Sequence, residues 1–214
     1  MASSTLAGFL TVSAGDNARA RDLLTRVFAT GQDPAAHPFM AKYVSAQMAL
    51  TVVPGVTAEL GPDRNGVGLA LAELHQGAGD LAAAIDVVEQ LEPTTFAALS
   101  LAELYSGADR HRDVVELTEG IANDDDATAL LCVFRGVAFR EQGYFGAARE
   151  AFKEALKSKK REPVIRHRAL LERARTYEAE GKRGMARKDL ERIMAEDSTY
   201  EGLADALASL EAAD

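Results

Sequence analysis

The stretch "GVAFREQGYFGAAREAFKEAL", Gly136–Leu156, decides how this chain folds. Apolar residues recur at spacings of three and four on both sides of Gly143, the pattern of two amphipathic helices separated by a tight turn. The smallest residues, Gly136, Ala148 and Ala155, stand where large apolar side chains would ordinarily fill the buried stripe. Two antiparallel helices approach closely only where neither places bulk at the crossing. Phe139, Phe152 and Leu156 then fill the space to either side, ridge into groove. The small residues are therefore expected to let helix hairpins nest, with Ala155 repeating the device against the next hairpin. Gly143 is read as a helix end with positive φ, where a Cβ would clash.

The same pattern recurs along the chain. At an offset of 34 residues, Ala102, Tyr105, Asp109, Val114 and Ile121 take the places of Gly136, Phe139, Gly143, Ala148 and Ala155. At an offset of 38, Ala174, Tyr177, Gly181, Ala186, Leu190 and Ile193 take them again, with "KSKKREP" accommodating the extra residues. Thirty residues before the Ala102 unit, Ala72, His75, Gly79, Ala84, Val88 and Leu91 run in the same order. A fifth, looser copy is Gly8, Gly15, Asp16, Ala20, Leu24 and Val27. Repetition of one supersecondary unit points to a helical array in which neighbours bury one another's apolar faces.

These units set the expected organisation. Residues 1–65 form a degenerate first repeat with an insertion. Repeats follow at about 66–93, 94–125, 126–162 and 163–199, and an amphipathic helix at 200–212, with Leu203, Leu207 and Leu210 on one face, caps the last of them. Pro163 marks a helix start, and the acidic run Asn123–Asp126 reads as a helix N-terminus favoured by negative charge. After a helix expected over about Ala36–Met48, "ALTVVPGVTAELGPDRN" (Ala49–Asn65) alternates apolar residues around Pro54-Gly55. It is a short β-hairpin or an irregular extended loop; a Pro-Gly type II turn suits a two-residue hairpin poorly.

Composition agrees with a helical protein. Of 214 residues, 47% are hydrophobic, 27% charged and only 6% aromatic, with no Trp; a β-sandwich would call for more aromatic and β-branched residues. The single cysteine, Cys132, excludes a disulfide framework or cysteine cluster within a monomer, and its apolar run predicts a buried thiol. No run of about 18 apolar residues is present, so no transmembrane helix is expected. The N-terminus lacks the basic start of a signal peptide, and the expected location is cytoplasmic. The net charge of -9 is unevenly spread: Arg135–Arg192 holds 17 Lys/Arg against 9 Asp/Glu, and the remainder 7 against 24.

The small residue of each first helix (Ala72, Ala102, Gly136, Ala174), its aromatic partner (Tyr105, Phe139, Tyr177), the turn Gly or Asp, and the second-helix order Ala148, Phe152, Ala155 together resemble the tetratricopeptide repeat (TPR) family. Ala84 and Ala186 complete the set of small repeat positions. The resemblance covers residues 66–212 and, more loosely, 3–30. It departs in lacking the Trp before the small residue, in Val114 at the second-helix Ala position, and in the scarcity of the closing proline. It implies an all-α, right-handed superhelical stack of helix hairpins whose first helices line a concave wall. The positions implied to face that wall are Leu69, Glu73, Phe96, Leu99 and Glu103 early in the chain, then Val133, Val137, Arg140, Arg168, Leu171 and Arg175. The family's carboxylate clamp of Lys, Asn and Arg is missing, since Leu, Val and Glu stand at most of its places.

No catalytic or metal-binding constellation stands out, so no enzyme activity, cofactor or metal is expected. His37, His75, His111 and His167 lie in four different segments, with His75 read as a satisfied core residue, and no HExxH, CxxC or phosphate-loop motif occurs. The expected function is a non-catalytic scaffold binding a protein or peptide in the concave groove. Two alternatives stand beside it: self-assembly through that groove and the cap helix of another copy, and nucleic-acid binding by the basic 135–192 half, which the few aromatics and overall acidity disfavour.

Overall fold

A computed structural model describes residues 1–45 and 47–212. Among them are twelve α-helices, one 3-10 turn and one two-stranded antiparallel sheet, in two compact units, Met1–Ala108 and Asp109–Asp214. The boundary falls inside the repeat expected at 94–125, between its two helices.

The first unit begins with the helix pair α1 (Ala2–Ser13) and α2 (Asn17–Phe28). Its register is that of the looser repeat. Gly15 turns the chain with φ 78°, Asp16 caps α2, and Ala20, Leu24 and Val27 are buried. A Cβ on Gly8 would run into the Leu24 side chain, so the small-over-large pair of Gly136 and Phe152 has a counterpart here. The helix expected over Ala36–Met48 is instead a 3-10 turn (Pro34–Ala36) and a short α3 (Pro38–Tyr43). Pro38 opens α3, its His37 cap accepting from the Phe39 amide, and the backbone is already extended at Val44. Ala46, within the expected helix, lies outside the described residues.

The insertion is a β-hairpin, β1 (Met48–Val53) and β2 (Val56–Leu60). Val53 pairs with Val56 across Pro54-Gly55, and Gly55 carries the φ of 96° that this two-residue link demands. β2 alternates strictly, with Val56, Ala58 and Leu60 buried and Thr57 and Glu59 exposed. An irregularity in β1 between Thr51 and Val53 lets both Val52 and Val53 turn inward. The unit continues through α4 (Arg64–Gly77), α5 (Leu81–Val88) and α6 (Thr95–Gly107), and β1 packs on α6 and α4. His75 is not satisfied as expected: its buried Nδ1 has no hydrogen-bond partner and stands 3.9 Å from Asp80 Oδ2.

The second unit holds α7 (His111–Leu117), the hairpin α8 (Asp126–Glu141) and α9 (Phe145–Ala155), the hairpin α10 (Pro163–Ala179) and α11 (Arg183–Glu196), and α12 (Leu203–Ala212). The acidic run opens α8 as read: the Asp125 carboxylate accepts from the Thr128 amide and Thr128 reaches back in a capping box. The Thr128 backbone bond holds the Asp125 pKa below its ordinary value. Turn residues behave as one set in their own units, with Gly143 and Gly181 at φ 79° and 73° and Asp109 at 56° in the equivalent place. Asp is among the few residues that tolerate this conformation.

At the centre of α8–α9, Phe152 is fully buried and lies against Gly136. Ala148 and Ala155 are buried, and Cys132 is buried too, desolvation raising its thiol pKa. The cap behaves as expected. Leu203, Ala206 and Leu210 of α12 join Leu170, Leu171, Ala174, Leu190 and Ile193 in one core, with Leu207 packed against it.

Where α10 begins and α11 ends, Arg166 donates to both carboxylate oxygens of Glu196, at 3.1 and 2.7 Å, and His167 Nε2 stands 3.2 Å from the same group. The hydrogen bonds of Arg166 first, then of His167, hold the Glu196 pKa down to about 2 from 4.5. A carboxylate depressed on folding contributes stability above its unfolded pKa and loses it as pH falls through the folded value. Urea midpoints measured at pH 5 and at pH 2.5 should therefore drop less in Glu196→Gln than in the wild type. Since Glu196 is largely exposed the difference will be modest; an identical drop would remove this pair from the acid response.

Candidate protein-binding surface

The positions expected to line the groove fall into two sets, one in each unit. In the first unit, Leu69 on α4 and Leu99 on α6 are buried, and these are the helices on which β1 packs. They belong to the core and leave no surface for a ligand. Phe96 and Glu103 are half-buried. Glu73 remains open and lines a cavity of about 450 Å³ with Ala70 and Leu74 of α4, Leu50 of β1, and Arg21 of α2. Desolvation there raises the Glu73 pKa. The chain's own hairpin thus occupies the face of α4 and α6, a consequence that alternation in the sequence could not reveal, because it fixes which strand residues turn inward and not what they cover.

In the second unit, Val133 and Leu171 are likewise buried, while Val137 is half-buried. The three arginines are brought to one face but not left bare. Arg140 Nη1 donates to Glu172 Oε2 at 2.6 Å, and Arg175 Nη1 donates to Glu172 Oε1 at 2.7 Å. Glu172 therefore ties α8 to α10 and sits between two cations. For Arg140, desolvation works against the charge, and the bonds to Glu172 outweigh it, so its pKa is raised. Arg168 lies over the Phe134 ring, 4.7 Å from the centroid, and its buried Nη1 has no hydrogen-bond partner. The chain entering the cap closes over the far end. A Cβ on Gly202 would stand 3.3 Å from Arg175 Nη2 and 3.4 Å from Leu171 Cδ2. Arg175 nonetheless keeps 43% of its side chain exposed.

Glu172 is the residue that sequence reading missed. Its signal was present, since Arg168 and Arg175 flank it at four and three residues, the spacing of helical ion pairs. The reading selected the cations and passed over the carboxylate between them. The small repeat positions Ala72, Ala84, Ala102, Gly136, Ala148, Ala155, Ala174 and Ala186 are all buried.

Other cations of the 135–192 stretch are paired as well. Arg149 bonds Glu180, Lys153 meets Glu150, Lys157 meets Glu154, Arg161 grips Asn123, and Arg173 and Asp189 form a two-pronged pair at 2.7 Å. Among the described residues no three His, Cys, Asp or Glu side chains gather as metal ligands, and no helix is long and apolar enough to cross a membrane.

Array, hairpin turns and cap define a class, and solved structures share it. The chain is similar to a tetratricopeptide repeat protein from Parabacteroides merdae, with a TM-score of 0.68 and 13% identity, covering 97% of this chain and 71% of that one. It is also similar to TTC0263, a thermophilic TPR protein in Thermus thermophilus, at TM-score 0.57 and 16% identity over 97% of both chains. A third is MamA AMB-1, at 0.58 and 19%, covering 93% and 92%. No protein-family model matches the sequence, and no curated protein matches it. The chain has the tetratricopeptide repeat fold.

Proposed function

We propose that this chain is a non-catalytic, cytoplasmic interaction scaffold that holds a protein segment against α8 and α10 of its second unit. The observation that carries the reading is the row Arg140–Glu172–Arg175 beside the half-buried Val137. Val137 offers an apolar seat, and Arg175, anchored through Glu172 yet open to solvent, offers a pre-oriented guanidinium to a carboxylate. Arg168, stacked on Phe134, supports the same positive face. An extended or helical peptide with one apolar and one acidic side chain meets these groups in the manner of helical-repeat recognition.

Two other readings are weaker. The apolar face of α12 is buried on its own chain, which leaves little for the groove of another copy. The basic stretch has many of its cations neutralised by carboxylates, which reduces what phosphates would meet.

The test is affinity capture from native lysate with Arg168→Glu/Arg175→Glu beside the wild type, both checked for folding by circular dichroism. Losing the charge pairing and placing like charge before an acidic ligand should weaken capture roughly tenfold, about 1.4 kcal/mol. Equal retention of the same proteins would show that they bind elsewhere.

A further inference from the structure

The second helices of the hairpins differ in length. α9 runs 11 residues and α11 runs 14, but α7 stops after seven. Ile121 holds the repeat position that Ala155 holds in α9, yet it lies beyond the end of α7, past a turn at Gly120 with φ 72°. The missing helical turn leaves a cleft of about 690 Å³ between α7, α8 and α9. Its apolar lining includes Val115, Ile121, Phe139 and Ala151, and four carboxylates, Glu116, Glu119, Glu150 and Glu154, stand around it. Arg135, the cation in the lining, is engaged by the Thr118 carbonyl at 3.0 Å. Glu150 and Glu154 meet only exposed lysines one turn on, and Glu116 and Glu119 have no cation partner among the described residues. The cleft is thus apolar inside and negative at the edge.

The complementary surface is on the same chain. α11 shows Met185 with 49% of its surface exposed, an apolar side chain free to enter an apolar lining. Lys188 and Arg192 follow at three and seven residues, on the same side of the helix, and both are exposed. Arg192 reaches Asp189 only at 3.6 Å and stays 57% exposed. We propose that the cleft between α7 and α9 receives α11 of a second copy, Met185 entering the apolar lining while Lys188 and Arg192 meet the glutamates. Donor and acceptor surfaces differ, so the contact is head-to-tail and extends into an open chain or closes into a ring. It uses the α7 and α9 side of α8, so it stands whether or not the Val137–Arg175 face binds a partner.

Sedimentation over a wide concentration range tests it. At low salt the average mass should climb above the 22.9 kDa of one chain, and added salt should reverse the climb, because exposed ion pairs are screened. Glu150→Lys/Glu154→Lys spoils the cleft, and Lys188→Glu/Arg192→Glu spoils the helix; each alone should stay monomeric. Mixed, the unaltered cleft of one variant meets the unaltered helix of the other, and the two charge-reversed surfaces are complementary to each other as well, so assembly should return although neither variant assembles alone. Circular dichroism confirms that both are folded. A wild type that stays monomeric throughout, a mixture that fails to pair, or a single variant that still assembles would each overturn the proposal.

Discussion

Arg173→Met should lower the unfolding free energy by about 3 kcal/mol, and adding Asp189→Leu should return most of it. Asp189 is buried in the contact between α10 and α11, only 6% of its side chain being exposed, and Arg173 meets both its oxygens at 2.7 Å. Desolvation opposes the charge on Arg173, but the bonds to Asp189 outweigh it and hold the guanidinium protonated. Removing the cation strands a buried carboxylate, with Arg192 at 3.6 Å too far to replace a two-pronged bond. Removing both charges ends the desolvation cost as well. Urea unfolding of the two single variants and the double variant completes the cycle. A single variant within about 0.5 kcal/mol of wild type would show that the pair contributes no more than an exposed one.

The second large effect belongs to the opening motif. Phe152→Ala should cost about 3–5 kcal/mol, the range for emptying a buried aromatic site. The more discriminating change is Gly136→Ala. In most helix interiors it would gain up to about 1 kcal/mol. Here the new Cβ would stand 2.5 Å from Phe152 Cε1 and 2.7 Å from Cζ, against a ring with no exposed surface to retreat into. Overpacking of this kind costs about 1–3 kcal/mol, as it should for Ala148→Leu at the neighbouring position. In a Phe152→Leu background the obstruction shrinks, and Gly136→Ala should become neutral or stabilising. If it lowers stability equally in both backgrounds, the glycine is there for another reason than this ring.

The sequence reading set small residue against small at this crossing, with Phe152 to one side, whereas it is the Phe152 ring that lies over Gly136. The small-residue spacing predicted α1–α2, α8–α9 and α10–α11 and placed their turns at Gly15, Gly143 and Gly181, because helix period and left-handed turns depend on neighbours within a few residues. It predicted the α12 cap from one row of leucines. The repeat alignment also carried Val114 and Ile121 onto Ala148 and Ala155, yet gave no hint that α7 would end at Leu117 and leave Ile121 in a cleft.

The functional positions were harder because they depend on what comes to lie above a helix face. Leu69 and Leu99 have the spacing of groove residues, and the structure buries them on the two helices where β1 packs. Arg140 and Arg175 have the charge of a bare basic wall, but a carboxylate 32 residues from the first and three from the second takes up both. By itself the sequence determined the hairpins and their nesting, since the volume of a side chain acts directly on its neighbour one helix away. Only the tertiary structure decided which faces stay open, since exposure is set by segments distant along the chain that fold over them.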